Sequence, residues 1–556
     1  MTPPRPPAEW LEDALGDPGA EGNVFSVAGL LELDRREEFP ADACARLDEL
    51  GLQRFYVPAE HGGGLRSYED LLQVIRVLSR RDFTVALAHC KTYLGSVAVW
   101  VAGTPEQAAA LARRVLGGEV VSLALTERDH GSDLLAGSVT ATPDAFHHRI
   151  DGEKWLINNA TRGDLVCVLA RTGAPGEARG HSLFLVDKHA LPEGTYRCLP
   201  KVPTHGVRGA DISGIAFTGA EVPAGAMVGE PGGGLEVLLK ALQITRTLCG
   251  GMSLGMAEHA LRLATGFAER HRMFGRPLIE LPQTARVLAE AYADLMVAEA
   301  VTVLSTRAVH SLTAEQSVIS AIVKYYVPTL ADQVINRLAK VLGARALLVD
   351  GPFQKVQRDH RIVGIFDGNT LVNLNALVNQ FAGLARGYRR GLVDREGLDA
   401  AADLGRELPP LVPARLSLLS RGGCSLVQDL PTRTPVADQA DGHVAELRRR
   451  ADGLHEELAR TRPAGRDVPP ELFELARRYA ALYAGAACLR LRAGDGGDED
   501  DQGLRRSRAC LARVLGRHDE AVDGLLPVLR ERVHDRRPLS ALPYRSNSRG
   551  AVTHAV

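Results

Sequence analysis

The chain has 556 residues, too many for one ordinary core, and typical domain sizes divide it into roughly three or four packed units. Its 66 basic and 68 acidic residues nearly cancel, so no global field selects for nucleic acid or an anionic bilayer. The eight cysteines are scattered, with no Cys-x-x-Cys pair and no His/Cys cluster at zinc spacing, which argues against a structural metal or a disulfide framework and for a reducing, cytoplasmic compartment.

The N-terminus, Met1-Thr2-Pro3-Pro4-Arg5, lacks the apolar core of a signal peptide, and no uninterrupted apolar run reaches bilayer-spanning length. Residues 1–120 alternate helical segments with short breaks: Ala41 to Leu52, Ser67 to Arg80, and a helix opened by Thr104-Pro105-Glu106 as cap, first-turn proline and acid. From 121 to 229 the pattern turns to short β-rich runs, among them Ser138 to Ala141, Phe146 to Ile150, Leu165 to Ala170 and Ser182 to Val186. Turns are expected at Asp151-Gly152 and Gly173-Ala174-Pro175-Gly176, giving a compact, barrel-like β-domain.

The run Gly229 to Gly234 breaks regular structure, and residues 235–390 then show apolar positions recurring at three and four. Four helices are expected there, Leu235 to Arg272, Gln283 to Leu312, Ala314 to Ala344 and Thr370 to Arg389, packed as a bundle. Residues 391–440, with Pro409-Pro410 and Pro413, read as a linker. Residues 441–556 read as an extra helical domain, with helices at Val444 to Arg460, Pro470 to Arg492 and Gly503 to Arg517. The acidic run Asp495 to Asp501 lacks the ordered ligand spacing of a calcium loop and reads as solvated. The fold class is therefore mainly α with a central β-domain.

Three blocks carry the chemistry. The segment Leu123-Ala124-Leu125-Thr126-Glu127-Arg128-Asp129-His130-Gly131-Ser132-Asp133, followed by Asp151-Gly152-Glu153-Lys154-Trp155-Leu156-Ile157-Asn158-Asn159, resembles the flavin-binding middle domain of acyl-CoA dehydrogenases. The resemblance covers about residues 25 to 390 and implies bound FAD. It brings Leu125 and Thr126 to the isoalloxazine edge and Gly131-Ser132 to the phosphates, where backbone N–H groups and a hydroxyl satisfy polar atoms without adding a nucleophile. Leu156 falls where relatives place an aromatic ring against the flavin, and Asn158 where a threonine hydroxyl meets N5. A second block, Arg270-His271-Arg272-Met273-Phe274-Gly275, is similar to the family's arginine, two residues, Phe-Gly element. There an arginine reaches the pyrophosphate of a neighbouring subunit; strict register falls on His271, leaving Arg270 or Arg272 to serve. Gln283, Lys340 and Gly343 occupy further positions near the dinucleotide, and exchange of such contacts implies a homodimer or homotetramer.

The third block is Arg358-Asp359-His360-Arg361-Ile362-Val363-Gly364-Ile365-Phe366-Asp367-Gly368-Asn369-Thr370. Asp367 stands where the family keeps its catalytic carboxylate, usually glutamate, and Asn369 belongs to a turn that contacts the flavin. The Thr245-Arg246 pair matches residues near the family's reacting acyl group; threonine cannot act as base, which leaves Asp367 as the carboxylate, with Arg246 to balance the site's charge or to orient the helix carrying the base. Phe366, Ile365 and Leu371 are expected to wall the base, since desolvation raises a carboxylate toward neutrality.

The function implied is α,β-dehydrogenation of an acyl group on coenzyme A or an acyl carrier protein, with an electron-transfer flavoprotein or oxygen as acceptor. Two other readings stand beside it: a flavin monooxygenase on the same fold, and a non-catalytic homologue whose C-terminal helices mediate assembly. Those helices broadly resemble the extra domain of very-long-chain acyl-CoA dehydrogenases by position and composition.

Overall fold

The computed structural model describes residues 6–177, 179–431, 441–462, 467–494, 501–540 and 542. They form two compact units: one from Glu12–Arg66 and Asp82–Thr245, the other from the described parts of Met1–Leu11, Ser67–Arg81 and Arg246–Val556. The expected N-terminal domain is thus divided, because the Tyr68–Arg81 helix belongs with the C-terminal helices.

In the first unit the Pro105–Leu116 helix begins as its sequence predicts. Thr104 accepts from the Gln107 N–H while the Gln107 side chain accepts from the Thr104 N–H, a complete capping box. An eight-stranded sheet follows, ordered Tyr196–Leu199, Ile212–Pro223, His147–Asn158, Thr140–Pro143, Leu165–Arg171, His181–Asp187 and Met227–Val228, with Val121–Ala124 parallel to Leu165–Arg171. Leu165 to Ala170 are buried without alternation, since the Phe83–Ala102 helix packs on this strand and its neighbour. That helix is long and apolar enough to cross a membrane, with mean hydropathy 1.3, but 78% of the window is buried inside the protein.

Asp151-Gly152 is not a turn. It is a bulge inside the long His147–Asn158 strand, where the register against Ile212–Pro223 slips between Ile150 and Gly152. Gly152 has φ 124, and Asp151 Oδ1 accepts from the Gly219 N–H at 2.6 Å across the sheet instead of closing a hairpin. A second slip between Trp155 and Ile157 puts Leu156 at φ 58 and turns its side chain outward.

In the second unit the long helices are Gly234–Arg270 (from Arg246 onward), Pro282–Ser311 and Gln316–Leu342. The fourth expected helix is two, Thr370–Val378 and Phe381–Arg390, and a helix the sequence reading missed, Pro352–His360, precedes the turn that holds Asp367. Residues 391–440 are more than a linker: Arg395–Ala402 is a helix with Leu398 and Ala401 fully buried against Pro282–Ser311. The helices Pro470–Gly494, Asp501–Val514 and Leu525–His534 also pack on Pro282–Ser311, which explains why that helix is buried nearly all round from Leu288 onward. Of the acidic run, 495–500 lie outside the described residues.

Candidate active site

Asp367 lies between the short turn Arg361–Gly364 and the Thr370–Val378 helix, whose N-cap is Asn369 with its side chain accepting from the Val372 N–H. Asp367 has φ 55, a left-handed conformation uncommon for a side-chain-bearing residue, and Gly368 follows at φ 94. The conformation at Gly368 favours glycine, and a Cβ there would also stand 2.9 Å from Arg246 Nη2, so the guanidinium would have to shift to admit one.

Four side chains hold this turn. Arg246 Nε donates to the Asp367 main-chain oxygen at 2.8 Å, and Cys249 Sγ lies 3.8 Å from Asp367 Oδ2. Burial pulls the Arg246 guanidinium below its usual range, and the nearby Asp367 carboxylate opposes that pull. Lys324, fully buried, donates to Val363 O at 2.7 Å and Gly368 O at 3.1 Å, bracketing the turn, and lies 5.4 Å from the Phe366 ring centroid. Asn373 Nδ2 adds a second donor to Gly368 O at 2.8 Å. Upstream, His360 bridges two helices, Nδ1 to Asp332 Oδ1 at 2.5 Å and Nε2 to Ser253 Oγ at 3.0 Å. Asp359 pairs with Lys355 at 2.7 Å.

The expected apolar wall is only partly built within the chain, for Ile365 is 59% and Leu371 57% exposed. Thr245 is buried with its hydroxyl donating to Leu242 O at 3.4 Å.

The other candidate flavin residues of the first unit cluster around Trp155. Its N–H donates to Thr126 O at 2.9 Å, and Thr126 Oγ1 donates to Trp155 O at 2.7 Å, so the Leu125-Thr126 segment is stitched to the strand beside Leu156. Beneath it, Lys154 Nζ donates to Leu125 O and to Glu127 Oε1, both at 2.9 Å. Burial would raise the Glu127 carboxyl, but the Ser138 hydroxyl and N–H and the Lys154 charge outweigh it and hold Glu127 at about 2. Leu156 is 45% exposed, Gly131 and Ser132 are exposed, and a Cβ at Gly131 would meet nothing within 4 Å. Asn158 turns its amide inward: Nδ2 donates to Leu87 O at 3.3 Å, and Oδ1 is buried.

In the second unit, Arg272–Met273 and Arg276–Pro277 form a tight hairpin whose turn residues Phe274 and Gly275 have φ 53 and 80, the signature of a type I′ turn. Phe274 is 85% exposed, Arg272 Nη1 donates to Gly275 O at 3.0 Å, and Arg270 is exposed at the helix end. His271 stacks on Phe267 at 4.9 Å, and the exposed Arg270, Arg272 and Arg276 are cationic groups of this element. Gln283 and Lys340 are exposed, and Gly343 at φ 60, ψ −139 ends the Gln316–Leu342 helix. No cluster of His, Cys, Asp and Glu fit for a metal occurs among the described residues.

These features suit FAD. In the first unit, the uncovered Leu156 side chain, the main-chain segment fixed beside it and the open space at Gly131 match a flat ring and a phosphate; the second unit, by itself, presents exposed arginines suited to a phosphate.

The chain matches the N-terminal domain of acyl-CoA dehydrogenase over residues 27–119, the middle domain over 122–220 and the C-terminal domain over 232–381. It is 27% identical over 377 residues to the human mitochondrial short-chain specific acyl-CoA dehydrogenase, covering 66% of this chain and 88% of that protein. It is 26% identical over 346 residues to a probable acyl-CoA dehydrogenase of Mycobacterium tuberculosis, covering 61% and 87%. Its fold resembles that of an acyl-CoA dehydrogenase from Bacillus anthracis crystallised with FAD, with TM-score 0.71 and 19% identity over 97% of this chain and 92% of the other. The chain belongs to the acyl-CoA dehydrogenase family, flavoprotein oxidoreductases that use FAD and act on CH–CH groups.

Proposed function

We propose that the protein desaturates an acyl thioester at Cα–Cβ, with Asp367 as the base that takes the α-proton. The observation that carries this reading is the turn itself: the carboxylate stands at φ 55, its main-chain oxygen is gripped by Arg246 at 2.8 Å, and the turn is bracketed by Lys324. FAD supplies the acceptor for the β-hydrogen, which leaves as hydride. The α-proton is weakly acidic, so Asp367 has a second task, presenting its main-chain N–H to the thioester carbonyl as the enolate-like charge develops. Aspartate is one methylene shorter than glutamate, and a misplacement of roughly 1 Å costs about a hundredfold in rate unless the backbone compensates. The left-handed turn at Asp367 and Gly368 is a candidate for that compensation.

Arg246, itself buried, fixes the backbone of this turn through the Asp367 main-chain oxygen at 2.8 Å. The thioester is carried by coenzyme A or by a carrier protein's phosphopantetheine arm, and an electron-transfer flavoprotein or oxygen accepts the electrons. A homo-oligomer agrees with the exposed apolar side chains of the second unit, Phe274 at 85%, Leu347 at 75% and Val349 at 62%. The scattered thiols, none of them in a disulfide, agree with a cytoplasmic setting.

Anaerobic addition of acyl-CoA thioesters is expected to bleach the bound flavin of the wild type, while Asp367→Asn keeps its flavin and stays yellow. Bleaching at the wild-type rate in Asp367→Asn removes this residue as base. Flavin reduction that needs NAD(P)H, followed by oxygen uptake, would make the protein an oxygenase.

A further inference from the structure

We propose that Cys249 is a positioning residue for Asp367, its thiol donating to Oδ2 and so setting the direction and proton affinity of the carboxylate; this rests on Asp367 being the base. Cys249 Sγ stands 3.8 Å from Asp367 Oδ2, a weak S–H···O contact. Cys249 follows Arg246 by three residues, so both lie on one face of the Gly234–Arg270 helix. One helix therefore holds the turn at two points: Arg246 takes the main-chain oxygen of Asp367 at 2.8 Å, and Cys249 takes the side chain.

The division has a consequence for geometry. With the backbone pinned in a left-handed conformation, only two torsions remain to aim the aspartate, and donors at its carboxylate oxygens select among them. Cys249 is 1% exposed, so water does not readily replace the thiol. Charged groups at the turn include Arg246 from the same helix and Lys324 from Gln316–Leu342, and both donate to main-chain oxygens there. The thiol is a neutral donor on the carboxylate. Removing a donor that favours the ionised form raises a carboxylate's proton affinity.

The test compares Cys249→Val, which keeps bulk and loses the donor, with Cys249→Ser, which keeps a donor, in full-length FAD-loaded protein. Flavin reduction by butyryl-CoA, octanoyl-CoA and palmitoyl-CoA is followed anaerobically across pH. In Cys249→Val the acid limb is expected to move up by as much as about one pH unit, and the plateau rate to fall about threefold to tenfold, with little change in substrate affinity. Cys249→Ser restores the limb. An acid limb unmoved by Cys249→Val overturns the proposal.

A second readout needs no turnover. The S–H stretch missing from the infrared spectrum of Cys249→Val is expected to rise in frequency in Asp367→Ala, where the acceptor is gone, and a band that stays in place overturns the contact. Failure of the base assignment itself looks different: Asp367→Asn would still bleach, whatever the thiol band does.

Discussion

Lys154 and Glu127 meet at 2.9 Å in the first unit, with side chains only 3% and 5% exposed, directly beneath the segment stitched to Trp155. Burial pulls the Lys154 ammonium down and Glu127 pushes it back up, so each keeps the other ionised. Lys154→Met would leave the carboxylate buried without its cation and take the donor from Leu125 O. The expected cost is about 3–5 kcal/mol of stability in this unit, together with faster loss of FAD on dilution, read by thermal unfolding and flavin fluorescence. Unchanged unfolding and unchanged flavin retention would show that the pair does not support the site.

Lys324 does for the second unit what Lys154 does for the first. Its ammonium spans Val363 O and Gly368 O, the two sides of the turn that carries Asp367. Lys324→Met keeps the apolar stem and removes the donors. Each buried carbonyl deprived of a partner costs about 1–3 kcal/mol, although Asn373 still serves Gly368 O. A turn loosened by about 1 Å is expected to slow flavin reduction about a hundredfold while the global unfolding temperature falls by only a few degrees. A reduction rate within twofold of wild type would mean that the turn keeps its shape without the lysine.

The C-terminal segment is tied into a buried ion network. Arg76 donates through Nε to Glu258 at 3.2 Å and through Nη1 to Glu299 at 2.6 Å, and Arg80 reaches Glu258 at 2.8 Å. Burial would raise the Glu258 carboxyl, but Arg80, Arg76 and Arg262 outweigh it and hold the group well below the usual carboxylate range. The Leu539 N–H donates to Glu258 at 3.0 Å and the Ser540 hydroxyl to Glu299 at 2.5 Å, while Arg262 bonds the Arg537 carbonyl. Ending the chain at His534 removes all three contacts. Two hydrogen bonds to buried carboxylates are together worth about 3 kcal/mol or more, so the truncated protein should unfold at clearly lower denaturant, and an unchanged midpoint would refute this role.

Local signals were legible wherever neighbours in sequence are also neighbours in space. Thr104-Pro105 opens a helix because its cap partners, Gln107 and the first-turn N–H groups, lie within three residues. Asp151-Gly152 misled for the converse reason: the dipeptide suits a turn, but the Ile212–Pro223 strand pairs on both sides of it and makes it a bulge. In the candidate site, Asp367, Arg246 and Thr126 carried a pattern. Lys324, Cys249 and His360 did not stand out, because their roles depend on Gly368, Asp367 and Ser253, which lie 44, 118 and 107 residues away. A lysine amid apolar helix residues is the nearest thing to a sequence signal for the first of these, since a buried ammonium must find acceptors.

Glu315 gives the second unit a stability that falls with rising pH. It accepts from the Ser425 N–H at 2.9 Å and the Ser425 hydroxyl at 2.5 Å, tying the loop before Gln316–Leu342 to the start of the short Ser425–Gln428 helix. Burial pushes its carboxyl up to about 7, and the two Ser425 donors only partly offset that. An acid whose folded pKa lies above its unfolded value of about 4.3 contributes fully below that lower value, where both states are protonated, and its contribution drains away as pH climbs toward 7. The shift corresponds to about 3 kcal/mol across that window. Glu315→Gln keeps an acceptor for Ser425 and cannot ionise, so its stability profile should be flatter between these pH values and should lie above wild type at neutral pH. Denaturant unfolding measured at several pH values checks this, and parallel profiles for the two proteins would mean that Glu315 titrates normally.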